Sequence, residues 1–189
     1  GHVDFNLYND KWSWASSVTY SDYGDIVSGG KGRTDYRRPW YVVRENNTDV
    51  KLDNENDKVL VPSGYSQWNV LQKLKFQPSK NVDFEFIYQN SQSTAFDRYD
   101  RLVATRNGNP RFGEWKYGPQ KWQSFVLESE FKSENFLYDM MTFSAAYQQF
   151  EESRITRNFR NNERQTRTEN VDAYSTNIDF SKRLSSKNT

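Results

Sequence analysis

Between Thr94 and Pro119, the arginines Arg98, Arg101, Arg106 and Arg111 alternate with the rings of Phe96, Tyr99, Phe112, Trp115 and Tyr117. A guanidinium presents a planar fork of N–H donors to a carboxylate, and aromatic rings present rigid, flat contact area. The stretch therefore suits anionic chelates or haem propionates. The candidate ligand contacts are Arg98, Tyr99, Arg101, Arg106, Arg111, Trp115 and Tyr117. The same stretch carries Asp97, Asp100 and Glu114, which would instead pair with the arginines and fold the loop. Tyr36, Arg37, Arg38, Trp40 and Tyr41 carry the same two readings with fewer residues.

Other groupings carry less chemistry. Asp49, Asp53, Glu55 and Asp57 gather oxygens of the kind that hold calcium, but Lys58 stands where the EF-hand loop requires glycine, so the segment reads as a solvated acidic loop. Gly24 and Gly29 have the spacing of a phosphate loop, but Gly30 takes the place of its lysine, which excludes that motif. Glu128 and Glu130 share one face of a strand, as a glycosidase carboxylate pair would. A polar channel wall needs such residues too, along with Lys73, Lys75, Asp83 and Glu85, and that is the reading adopted. With no cysteine and a single histidine, His2, the chain has no disulfide, no cysteine-zinc site, no thiol nucleophile and no histidine-based catalysis. No catalytic residue, metal or cofactor is expected, and a net charge of +1 supplies no field to draw nucleic acid.

These loops need a scaffold, and period-two alternation supplies it. Val3, Phe5 and Leu7 share one face of a first stretch, and Trp12, Trp14, Val18 and Tyr20 one face of a second. Trp68, Val70, Leu74 and Phe76 oppose Gln67, Asn69, Lys73 and Lys75, and Val82, Phe84, Phe86 and Tyr88 oppose Asp83, Glu85 and Gln89. Three less regular stretches follow, over 122–131, 137–151 and 169–182. A helix would scatter these side chains, whereas a strand sorts them to its two faces. Short polar turns (Asn9 to Lys11, Pro78 to Asn81, Lys132 to Asn135, Ser185 to Asn188) alternate with long connections (Gly24 to Tyr65, Thr94 to Pro119, Ser153 to Thr168).

The expected fold is all-β: an antiparallel up-and-down meander of about seven strands, with short turns at one end and long loops at the other. Strands of this length with that asymmetry are the pattern of a transmembrane β-barrel with short periplasmic turns and long extracellular loops. The pattern also explains 16 % aromatic residues alongside only 34 % apolar residues and a mean hydropathy of −1.04. One face meets lipid, the other meets water, and rings near strand ends form interfacial girdles. No signal peptide is visible, so the sequence is read as cytoplasmic or as beginning inside a longer protein.

From Pro62 to Ser181 the chain resembles part of the barrel of a TonB-dependent outer-membrane receptor of the Bacteroidetes type, nearest the haem, haemoglobin and transferrin group. The resemblance is carried by Ser63-Gly64-Tyr65, Trp68 to Leu74, Arg98 to Leu102, Arg106-Asn107-Gly108, Glu114 to Gln120, Tyr147 with Glu151 to Arg154, and Glu169 to Asp172. Gly24-Asp25 after the aromatic strand end Tyr20 to Tyr23 also fits.

It implies a Gram-negative outer-membrane transporter of about 22 strands, of which residues 1–189 are a partial barrel domain. The plug domain, with the segment that contacts TonB, and the remaining strands would lie outside this chain. The partners it implies are TonB, outer-membrane lipid and an extracellular nutrient, with no enzymatic activity. The competing expectations are a soluble β-sandwich carbohydrate-binding module and, more remotely, a carbohydrate-active hydrolase using Glu128 and Glu130. The faces discriminate: a sandwich covers its apolar face with a second sheet about 10 Å away, and a barrel wall leaves it bare.

Overall fold

The computed structural model describes residues 1–31 and 34–184, and the turn expected over Ser185 to Asn188 lies outside them. Seven long strands form the scaffold: β1 (His2–Tyr8), β2 (Trp12–Tyr23), β5 (Tyr65–Ser79), β6 (Val82–Ser93), β11 (Lys121–Lys132), β12 (Met140–Asn158) and β13 (Arg164–Ser181). Each pairs antiparallel with its neighbour in that order. The expected all-β antiparallel meander is present.

The sheet holds nine strands rather than about seven, because β7 (Phe96–Asp97) and β10 (Phe112–Tyr117) join it at the loop end. They continue the columns of β6 and β11: β10 pairs with β7 on one side and with the upper part of β12 on the other. The sheet does not close, and β1 and β13 are not paired with each other.

The connections differ from expectation in two places. The long connection placed over Ser153 to Thr168 is mostly strand, since β12 runs to Asn158 and β13 starts at Arg164. The turn placed at Lys132 to Asn135 extends to Asp139. Strict alternation of short and long connections therefore holds for the first two hairpins and fails at the last. The first long connection also has structure of its own: β3 (Trp40–Glu45) and β4 (Thr48–Asp53) form a hairpin whose turn residues Asn46 and Asn47 have φ of 46° and 63°. Positive φ at both central residues matches the twist of a two-residue hairpin. In the second, α1 (Tyr99–Leu102) precedes a small hairpin of β8 (Thr105–Arg106) and β9 (Asn109–Pro110).

Register assigns the faces. Leu7, Trp14, Leu74, Phe86 and Leu127 stand side by side across five strands, and Trp12, Phe76 and Phe84 form the row beside them. Trp12 stacks on Phe76 at 4.1 Å, and Phe5 meets Trp14 edge-on at 5.0 Å. This face stays open: Trp14 is 41 % exposed, Trp68 51 %, Leu74 41 %, Phe86 42 % and Leu127 40 %. The other two sheets are two-stranded hairpins, and among the described residues the large apolar side chains that are buried are Leu60, Leu102 and Ile155, all in or beside the loop end. Gln72, within the apolar face, has its amide spent internally: it accepts from Trp14 Nε1 at 2.9 Å and donates to Ser16 Oγ at 2.7 Å.

The opposite face is polar. Lys73 pairs with Glu85 and Lys75 with Asp83, both at 2.7 Å. Glu128 lies beside Glu85, and Glu130 lies beside Asp83 and bonds Lys132 at 2.7 Å.

Candidate functional site

Alternation carries the two faces past the belt to the loop end. β12 pairs with β13 from Met140 to Arg157 without a register shift, so Arg154 stays on the polar face and Ile155 and Arg157 stay on the other. Tyr117 lies opposite Arg154 and Phe96 opposite Tyr117, which places both rings on the polar face.

The polar-face rings form a ladder across four strands. Tyr23 meets Tyr65 at 4.9 Å, Tyr65 meets Phe96 at 5.7 Å, and Phe96 meets Tyr117 at 5.4 Å. Trp115 adds an edge-to-face contact with Tyr117 at 5.6 Å. Such contacts fix ring orientation beyond simple burial.

Arginines ring the end of this ladder. The Arg98 guanidinium lies 5.3 Å from the Trp115 ring centre and 5.4 Å from that of Tyr117. Its Nε and Nη2 donate to the two oxygens of Asp100 at 2.8 and 2.7 Å, and its Nη1 donates to the Tyr117 hydroxyl at 3.0 Å. The Asp100 bond holds the Arg98 proton more firmly than usual, and the same bond holds the Asp100 carboxyl below its usual range. Arg101 reaches the Trp115 ring at 6.0 Å. Arg154 lies 5.8 Å from the Tyr117 ring centre, and its buried Nε has no hydrogen-bond partner.

Of the candidate contacts, the structure gathers Arg98, Arg101, Trp115 and Tyr117. Tyr99 opens α1 beside them. Arg106 sits exposed in the β8–β9 hairpin, and Arg111 lies over Phe112 at 4.9 Å. Asp100 does pair with Arg98, as the loop-folding alternative requires, whereas Glu114 bonds Arg164 and Lys116. Tyr23, Tyr65 and Arg154 were not singled out as contacts in the sequence. The register that brings them to Tyr117 is long-range, and no local spacing encodes it.

The opposite face of the loop end is closed by the β3–β4 hairpin. Asp49, 1 % exposed, accepts from Arg157 Nη1 at 2.6 Å and Nη2 at 2.8 Å, from the Arg160 amide at 2.7 Å, and from Arg44 Nη1 at 3.2 Å. Burial alone would raise its carboxyl; these donors outweigh burial and hold it below the usual carboxylate range. The acidic segment is therefore not uniformly solvated: Asp49 is buried, and Asp57 pairs with Arg37 at 3.1 Å. Gly113 passes so close to this fork that a Cβ there would collide with Asp49 and Arg157.

Arg38, also 1 % exposed, donates Nε to the Val61 carbonyl at 2.8 Å and lies 5.2 Å from the Trp40 ring centre. Burial lowers its pKa to about 10 against the pull of Asp97. The side chain of Tyr36 lies outside the described residues. At the base of the connection, the Asp25 carboxylate accepts from the Ser63 and Gly64 amides at 2.5 and 2.8 Å, joining the start of that connection to its end.

Chemically, the polar-face cluster sets guanidinium donors against aromatic rings that stand at steep angles to one another, Trp115 at 87° to Tyr117. Among the described residues, no three histidine, aspartate or glutamate side chains gather as metal ligands. Comparison of the chain with protein-family models, curated proteins and solved structures yields no match.

Proposed function

We propose that the chain is part of the wall and outer loops of a TonB-dependent outer-membrane receptor, taking up a scarce nutrient such as an iron chelate or haem. The observation that carries this reading is the bare apolar face, on which Trp14, Trp68, Leu74, Phe86 and Leu127 stand 40–51 % exposed in one sheet. Soluble monomers rarely leave so continuous an apolar surface open to water, whereas lipid covers it at no cost. Gln72 supports the same reading, since a polar group facing hydrocarbon must find its partners within the protein.

In this reading the ion-paired face looks into an aqueous lumen, and the arginine–aromatic cluster meets the ligand outside. The TonB contact belongs to a plug domain that is not part of this sheet. A sandwich module would instead need a second sheet over Trp68 and Leu74, and the described residues supply only two small hairpins at the loop end.

Refolding the 189-residue chain with and without dilauroylphosphatidylcholine vesicles tests the proposal. The expected result is β-sheet circular dichroism with protection of β5 and β6 from protease only when vesicles are present. A soluble monomer that unfolds cooperatively on heating in plain buffer would overturn it.

A further inference from the structure

Resting on the reading of the bare face as lipid-covered, we propose that the turn between β11 and β12 is a membrane anchor, with Phe136 and Leu137 set into the phospholipid leaflet on the short-turn side. Both side chains stand out at the tip of the turn, 94 % and 70 % exposed. The level of the apolar belt leads to them. On β5 the belt runs from Phe76 up to Trp68. On β12 it stops at Tyr147, in the row of Phe125, Tyr88 and Gln72, which is four residues short of the Trp68 row. Above Tyr147 that face continues as Gln149 and Glu151. Barrel strands tilt by about 40° and lie about 4.8 Å apart, so a level plane drifts along them by a little over one residue per strand, or about four from β5 to β12. The lower edge of the belt must drop equally. Phe76 shares a row with Phe143, and four residues further down β12 is Asp139, inside the turn.

The turn is shaped for that level. Tyr138 folds back onto the apolar face, where its ring meets Phe180 at 5.9 Å beside Met141. Polar groups of the turn bond one another, as contact with hydrocarbon requires. The Asn135 side-chain oxygen accepts from the Leu137 and Tyr138 amides at 2.8 and 3.0 Å. Lys182 Nζ donates to the Asn135 carbonyl at 2.7 Å and to Asp139 at 2.6 Å, and the second Asp139 oxygen accepts from the Arg183 amide at 2.8 Å. Phe136 and Leu137 are thereby left as an apolar tip that continues the belt below Met141, a ring and a branched chain of the kind that seat at the edge of a bilayer. The occupant is phospholipid, because the tip extends the same face that lipid covers on the strands above it.

The chain has no cysteine, so one introduced cysteine carries a nitroxide spin label at a known place. The test compares Phe136→Cys at the tip, Leu74→Cys within the belt and Asp10→Cys in the β1–β2 turn, each labelled and refolded in dilauroylphosphatidylcholine vesicles. Phe136 is almost wholly exposed, so its replacement leaves the packing of the sheet in place. Electron paramagnetic resonance then reads the collisions of each label with oxygen, which concentrates in hydrocarbon, and with a nickel chelate, which stays in water. The expected result is that oxygen collisions outnumber nickel collisions at Phe136→Cys and Leu74→Cys, and that the ratio reverses at Asp10→Cys. If Leu74→Cys favours oxygen while Phe136→Cys favours nickel, the anchor is overturned and the lipid-covered wall stands. If Asp10→Cys favours oxygen as well, the drop in level is overturned, and the reason for the anchor goes with it. If Leu74→Cys favours nickel, the wall itself is overturned and the anchor with it.

Discussion

Asp49 and Arg157, 108 positions apart in the chain, close a two-bond fork in which neither side chain is more than 5 % exposed. The fork ties the β3–β4 hairpin, a two-stranded sheet of its own, to the top of β12 in the large sheet. Arg44 extends the tie to the β12–β13 connection through Asn162 at 2.7 Å.

Breaking the fork from one side should be costly. Asp49→Asn leaves the buried Arg157 charge with only Glu114, 3.9 Å from its Nε, as a counter-ion, with an expected loss of about 3 kcal/mol in stability of the loop end. Hydrogen exchange of the β3 and β4 amides is the measurement. Asp49→Leu with Arg157→Met should recover most of the loss, because the pair's desolvation cost disappears with it.

Gly113→Ala attacks the same fork through space alone. The added methyl must displace the Asp49 carboxylate or the Arg157 guanidinium, so the substitution should loosen β3–β4 by a similar route without removing any charge. Alanine at Gly30, where a Cβ meets nothing within 4 Å, serves as the control and should leave exchange rates unchanged.

Acid should act on the loop end with two opposite signs. Asp49 has a depressed pKa, so its contribution is complete above the ordinary carboxylate value of about 4 and is lost as pH falls below it. Asp97 has a raised pKa, chiefly from burial; Glu114 and Asp25 add to the rise, and Lys116 and Arg38 oppose it. Its contribution is complete below about pH 4 and is lost as pH rises through its elevated value. Asp97→Asn should therefore remove the loss on the alkaline side and leave the acid limb intact, read as exchange protection of β10 between pH 3 and pH 7.

The two faces should respond unequally to charge. Leu74→Lys, on the apolar face between Trp14 and Phe86, should cost about 2–4 kcal/mol in vesicle-folded protein, the range for a lysine at mid-bilayer. Gln89→Lys, on the opposite face of β6, should be close to neutral. Urea titration of both variants in the same vesicles measures the difference, and equal costs would contradict the assignment of faces.

The strands were legible wherever their two faces meet different surroundings. From Trp12 to Ser93, alternation placed the ends of the strands within about two residues, because apolar and polar partners sort cleanly. Above Glu151 the signal fades although the strands continue: Arg154 and Arg157 lie on opposite faces, and both are charged. The β3–β4 hairpin had a local signature in Asn46-Asn47 between Tyr41-Val42-Val43 and Val50-Lys51-Leu52. Length alone made that segment read as a loop. For the site, the arginine–aromatic stretch was visible, but Arg154 and Tyr65 reach it only through strand register, and nothing near Asp49 announces a partner at Arg157.

All 18 residues of β13 pair with β12 in unbroken register, from the turn end to the level of Arg157. Mechanically, that hairpin is a beam. A pull delivered at Arg154 loads every rung in shear at once instead of peeling them singly, and it reaches the far end along one stiff member about 60 Å long.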